Sequence, residues 1–268
     1  MTTLTGDAAA KPPKRFPPTH PRRGGFKNLL RVELRLLKRE PMLMFWALIF
    51  PIGLLVVIGS TVSNKPKAIY GGLTFIDVYA PVLMMFTLTM LTMTAMPATL
   101  ASYRDKGYLK RLSTTPVGAP RLLAVHITIV FLLSSTIVAL IVIVSHLAFN
   151  VPLPSQFGGF VLAILLTIGA MAALGMLVAA LAPTQRIAGA IGGIALFPLM
   201  FFAGLWVPQQ QMGPVLRHIS QYTPLGAAVP SIEGTEMGNF PSATHLIVLA
   251  AWALVLTRLA IRFFRWNR

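Results

Sequence analysis

Six long apolar runs, separated by short stretches rich in Lys, Arg, Pro and Gly, set the pattern of this 268-residue chain. A helix needs about 20 mostly apolar residues to cross the hydrocarbon of a bilayer. Six stretches meet that need, at about 42–60, 76–100, 122–149, 157–181, 187–207 and 244–264, and most lack Lys, Arg, Asp and Glu in their central portions. Ahead of them, Phe26 to Glu40 has a different period. Phe26, Leu30, Leu34 and Leu37 fall near one helical face, and Lys27, Arg31, Arg35 and Arg39 form a column at i, i+4 spacing. Such a basic amphipathic helix lies in the headgroup layer of anionic lipid. Residues 1–25 hold Lys11-Pro12-Pro13-Lys14-Arg15 and Pro17-Pro18, which predicts a disordered basic tail. No apolar core of signal-peptide length precedes Pro41.

Composition agrees with an all-α integral membrane fold. Charged residues make up 11% of the chain, against about 25% in soluble proteins. Mean hydropathy is +0.72, more apolar surface than one soluble core of this size can cover. The net charge of +16 would suggest nucleic acid in a soluble protein, but here it is spread over the connections between apolar runs and sets orientation instead. The segment up to Pro41 carries ten Lys and Arg, the 101–121 loop five, the 183–186 turn one and the C-terminal end four. The other side has only Lys65, Lys67 and Arg217. The split of 20 to 3 alternates across all six spans and predicts both termini in the cytoplasm. Cysteine is absent, which excludes disulfides, thiolate metal sites and cysteine nucleophiles.

Within the spans, Gly189 and Gly193 form a GxxxG pair with Gly192 beside them, and Gly169, Ala173, Gly175 and Ala179 line the fourth run. Small residues let helices approach closely in lipid. Pro51, Pro81, Pro97 and Pro198 are expected to kink or interrupt their helices. Asp77 stands at the start of the second span, where the helix dipole favours a carboxylate. His126 and His146 are too far apart in the third span to share a metal. Glu233 and Glu236 lie near Gly234 and Gly238, as in a turn. Met90, Met93 and Met96 recur every third residue; methionine makes adaptable walls, so these three, with Phe201 and Phe202, are candidates for a substrate path.

Two connections carry more information. The loop after the second span reads Tyr103-Arg-Asp-Lys-Gly-Tyr-Leu-Lys-Arg-Leu-Ser-Thr-Thr-Pro116, a short amphipathic stretch with a Leu109/Leu112 pair and a Pro stop. Before the last span, Met212 to Pro224 mixes apolar and polar residues and Leu225 to Pro230 is apolar but too short to span. Short helices dipping into the outer leaflet are expected there, since irregular backbone at that depth must be packed on protein or line a cavity.

The Arg104–Pro116 stretch resembles the cytosolic coupling motif of ABC-2 type permeases of the bacterial drug-exporter (daunorubicin-permease-like) group. Phe201-Phe-Ala-Gly-Leu-Trp-Val-Pro208, Met212 and Tyr222-Thr-Pro-Leu-Gly226 resemble that family's segment after the fifth span. Tyr108 and Lys110 depart from the family pattern, which commonly has Thr and an acid there. The resemblance covers nearly everything from Phe26. It implies a six-span type V exporter-like fold over residues 26–268, with a cytosolic coupling helix and short re-entrant external helices, in a bacterial inner membrane. It implies a second permease chain, identical or related, and two copies of a separate ATP-binding subunit that holds ATP and Mg. Residues carried over to ATPase coupling are Arg104, Asp105, Gly107, Leu109, Arg111, Leu112, Thr115 and Pro116. The implied activity is export of a hydrophobic or amphiphilic cargo, a drug or antibiotic before a lipid or glycoconjugate.

The residues themselves weigh against other classes. No Gly-x-x-x-x-Gly-Lys-Ser/Thr phosphate loop is present, so ATP must be bound elsewhere. No Gly-x-Ser-x-Gly, His-Glu-x-x-His or paired acids within a span suggest an intramembrane enzyme. An ion-coupled secondary transporter usually shows internal repeats and midplane ionisable residues, and neither is visible.

Overall fold

The computed structural model describes residues 25–62, 65, 70, 72, 74–107 and 119–263. Among them all regular structure is helical. The amphipathic helix α1 covers Gly25–Leu37. Six helices long and apolar enough to cross a membrane follow: α2 Pro41–Thr61, α3 Phe75–Asp105, α4 Ala119–Phe149, α5 Phe157–Leu181, α6 Gln185–Ala203 and, after two shorter helices, α9 Ala243–Phe263. The shorter ones are α7, Pro214–Gln221, and α8, Pro224–Glu236. The N-terminal tail expected to be disordered falls outside the described residues, apart from Gly25.

The prolines act in two ways. α2 and α3 each widen into a π-helical segment, at Phe45–Ile49 and Met90–Ala95. Each segment ends two residues before a proline, Pro51 or Pro97. Proline has no N–H and its ring clashes with the carbonyl four residues back, and a widened turn relieves that clash. Pro81 and Pro198 lie inside α3 and α6, with no such widening in α6.

Helix α3 is the centre of the bundle. About 83% of its most apolar window is covered, against 17% for α2 and for α9. Its π segment is pressed between two glycines. A Cβ built at Gly175 of α5 would overlap the carbonyl oxygen of Thr92, and one at Gly192 of α6 that of Met93. By contrast, Gly169, Gly189 and Gly193 have open space where a Cβ would stand. The close internal contact of the fifth span is therefore made by Gly192 rather than by the GxxxG pair, and Gly189 lines an open hollow with Ala98 and Asp105.

Where short external helices were expected, α7 is exposed and strongly amphipathic, with Val215, Leu216, Ile219 and Tyr222 uncovered. Helix α8 is almost entirely buried among α3, α5, α6 and α9, although at 13 residues it is too short to span. Glu233 and Glu236 thus sit in the last helical turn of α8 rather than in a turn between elements.

Candidate coupling site at the basic end of the bundle

Helix α3 ends with Tyr103, Arg104 and Asp105 in succession. Successive helical side chains are rotated by about 100°, so the three point to different neighbours. The Tyr103 hydroxyl donates to the Glu33 carboxylate of α1, 2.9 and 3.0 Å from its two oxygens. The Arg104 guanidinium donates to the Ala182 carbonyl in the turn between α5 and α6. Asp105 Oδ2 accepts from the Gln185 backbone N–H at 3.0 Å. That amide opens α6, where Thr184 caps the Ile187 N–H. A helix N-terminus has unpaired N–H groups and a positive dipole end, so it favours a carboxylate. Asp105, carried over as a coupling residue, makes this bond while remaining exposed.

Glu33 was not anticipated. It lies at the register of Phe26, Leu30 and Leu37 and is buried. An acid on the apolar face of an amphipathic helix was the available signal. His126 of α4 completes the cluster. Its Nε2 is 3.8 Å from Glu33 Oε2, its Nδ1 is 3.2 Å from the Leu122 carbonyl, and its ring meets that of Tyr103 edge-on. A carbonyl only accepts, so Nδ1 carries a proton.

Gly107 follows with φ of +65°, the left-handed region that glycine occupies without strain. Leu109, Arg111, Leu112, Thr115 and Pro116 lie outside the described residues, as does the expected coupling helix.

Among the substrate-path candidates, Met93 and Met96 are buried and Met90 is partly covered. Phe201 and Phe202 are partly covered and meet edge-on. At this opposite end the Phe202 carbonyl accepts from Gln209 Nε2 and Ser220 Oγ, both at 2.8 Å, and the same Gln209 amide reaches the Gly226 carbonyl at 3.1 Å. Thr223 caps α8 by accepting from the Gly226 N–H. These bonds tie the end of α6 to the start of α8 and turn the chain back into the bundle. Asp77 forms a reciprocal capping box with Thr74.

Glu233 accepts from Gln210 Nε2 at 3.1 and 3.3 Å. Burial pushes its carboxyl up to about 7, against the lowering effects of the Gln210 bond and the Arg217 charge. Burial, with the charges of Asp77 and Glu233, pushes Glu236 up to about 9. Both folded values lie above the ordinary 4.5, so the native state holds protons that the unfolded chain releases. Stability is therefore full below about pH 4.5 and falls as pH rises through about 7 and 9. The thermal midpoint of the purified protein is expected to drop between pH 6 and pH 9, and Glu236→Gln to flatten the upper part of that dependence. An unchanged slope in the variant would remove Glu236 as its source.

These elements are those of a known membrane domain. A model of the ABC-2 type transporter family matches residues 25–237, from α1 through α8. The chain belongs to the ABC-2 type transporter family. Its fold is that of a transport permease subunit rather than an enzyme, and ABC-2 permeases work with ABC ATP-binding subunits. No curated protein matches the chain.

Proposed function

We propose that this ABC-2 protein is the permease of an ATP-driven exporter, moved by a separate ATP-binding subunit through the residues that follow α3. The observation that carries the reading is the three-way anchorage of Tyr103, Arg104 and Asp105. A displacement of the 103–116 segment would be passed to α1 and α4 through Tyr103, and to α5 and α6 through Arg104 and Asp105. The charge asymmetry of the loops supports placing this end, and both termini, in the cytoplasm of a bacterial cell whose inner membrane holds the protein. A second permease chain would pack on α6. Its outward Ile187, Ile191, Ile194 and Phe197 form one exposed apolar stripe that another helix could cover. Spans without central charges suit a hydrophobic or amphiphilic cargo, a drug or antibiotic foremost, leaving between the two permeases.

The test reconstitutes the permease with its ATP-binding subunit in proteoliposomes. Arg104→Ala and Asp105→Ala are expected to lower transport about tenfold, a size ordinary for coupling between sites, while the complex still assembles and hydrolyses ATP. Because the chain has no cysteine, Lys110→Cys reports the side of this loop cleanly. Labelling by an impermeant reagent from outside intact cells, or transport without the ATP-binding subunit, would sink the proposal.

A further inference from the structure

At the basic end, α1, α3 and α4, with Leu43 of α2 and Gln185 of α6, line an open cavity of about 340 Å³. Its lining along α3 extends from Lys106 to Leu91, fifteen residues or roughly 22 Å of helix. Half the hydrocarbon thickness of a bilayer is about 15 Å, so the cavity reaches from the headgroup level well into the apolar layer. Its character changes along the way. The deep walls are Leu43, Leu91, Met96, Ile129, Val130 and Leu133. The mouth has Arg39, Glu40 and Lys106, all exposed, with Glu33 in the wall already engaged by Tyr103 and His126. A small volume drawn out over that length is a narrow slot, with two cations and the Glu40 carboxylate at the wet end, Thr99 and Ser102 midway, and mostly aliphatic side chains beyond them.

We infer that this slot holds one glycerophospholipid of the leaflet at the basic end, its phosphate between Arg39 and Lys106 and one acyl chain against Leu91, Met96 and Val130. Three features select this occupant. The cations sit at headgroup depth beside a basic amphipathic helix. A phosphate is the group that two such cations hold together by charge-assisted hydrogen bonds. The inner end offers a lipid tail mostly apolar contact, with Thr99 and Ser102 between it and the mouth. A bound lipid would make α1 part of the bundle through a replaceable molecule and not only through the Glu33 cluster. This goes beyond the export reading and does not depend on it.

The test uses the full chain alone in nanodiscs carrying a trace of phosphatidylcholine with a diazirine in its acyl chain. After illumination, adducts are mapped by mass spectrometry. Residues 91–99 and 129–133 are expected to be labelled more densely than Ile247 and Leu254, which face outward on α9. A basic side chain near a membrane surface contributes about 1 kcal/mol toward lipid phosphate, or about fivefold in occupancy. Arg39→Ala and Lys106→Ala should each lower the labelling of the slot by about that factor. Both side chains are exposed, so neither change threatens the fold. Thr99→Leu, which fills the slot from a partly exposed position, should lower it as well. A matched diazirine diacylglycerol, lacking the phosphate, should label the slot as weakly as the double Arg39→Ala/Lys106→Ala variant. Equal labelling by the diacylglycerol, no loss in the double variant, or a density no greater than at Ile247 and Leu254 would each overturn the inference. The ATP-binding subunit takes no part, so such a failure leaves the export reading standing.

Discussion

Replacing Gly192 by Ala is expected to lower the stability of the purified permease by about 2–3 kcal/mol, the upper part of the range for overpacking a close contact. Gly193→Ala, one residue on, is expected to be neutral or slightly stabilising. The reason is positional. A Cβ at Gly192 meets the Met93 backbone carbonyl, which belongs to the π segment of α3 and has no rotamer by which to withdraw. A Cβ at Gly193 meets nothing, and alanine favours the helix over glycine by about 1 kcal/mol. Gly175→Ala should behave like Gly192→Ala, because it drives a methyl group into the Thr92 carbonyl from the other side. Tryptophan fluorescence during thermal unfolding in detergent reads all three variants. Similar midpoints for Gly192→Ala and Gly193→Ala would show that α6 does not pack on α3 as described. If Gly193→Ala weakens self-association while leaving the monomer's midpoint unchanged, that supports pairing of two permeases through the outer face of α6.

Glu33→Ala is expected to cost about 3 kcal/mol, as is usual when one partner of a buried charged cluster is removed. The substitution removes the carboxylate that accepts from the Tyr103 hydroxyl and faces the His126 ring. Glu33→Gln should cost less, since an amide oxygen still accepts from Tyr103. The double change Glu33→Leu/His126→Leu should recover part of the loss, because the His126 ring then no longer lacks the carboxylate it faced. Glu40→Ala is the control, an exposed acid near the same helix, and should lie within about 0.5 kcal/mol of the parent. Equal midpoints for Glu33→Ala and Glu40→Ala would mean that α1 is not fastened through this carboxylate. The same fastening bears on function, for Tyr103 is the residue from which the proposed coupling segment departs.

The hydrophobic pattern alone was enough to place six spans, the amphipathic α1 and the short helices before the last span. Each of these follows from local rules: the length needed to cross hydrocarbon, the period of a one-faced helix, and an apolar stretch too short to cross. The place of Asp77 at the start of its helix was legible for the same reason, and the structure adds its capping partner Thr74, three residues away. What the pattern did not contain was the choice among equivalent small or charged residues. Gly189, Gly192 and Gly193 look alike in sequence, and only the crossing of α6 over the π segment of α3 makes Gly192 the contact. Asp105 was carried over as a coupling residue, and its bond to the open N-terminus of α6 at Gln185 could not be read from the sequence. Glu33, 70 residues from Tyr103, became a buried partner only when α1 folded onto α3 and α4. Spans are fixed by transfer of whole segments into lipid, a property each segment has alone. Which side chain meets which is fixed by how the segments cross, and that is a property of the assembled bundle.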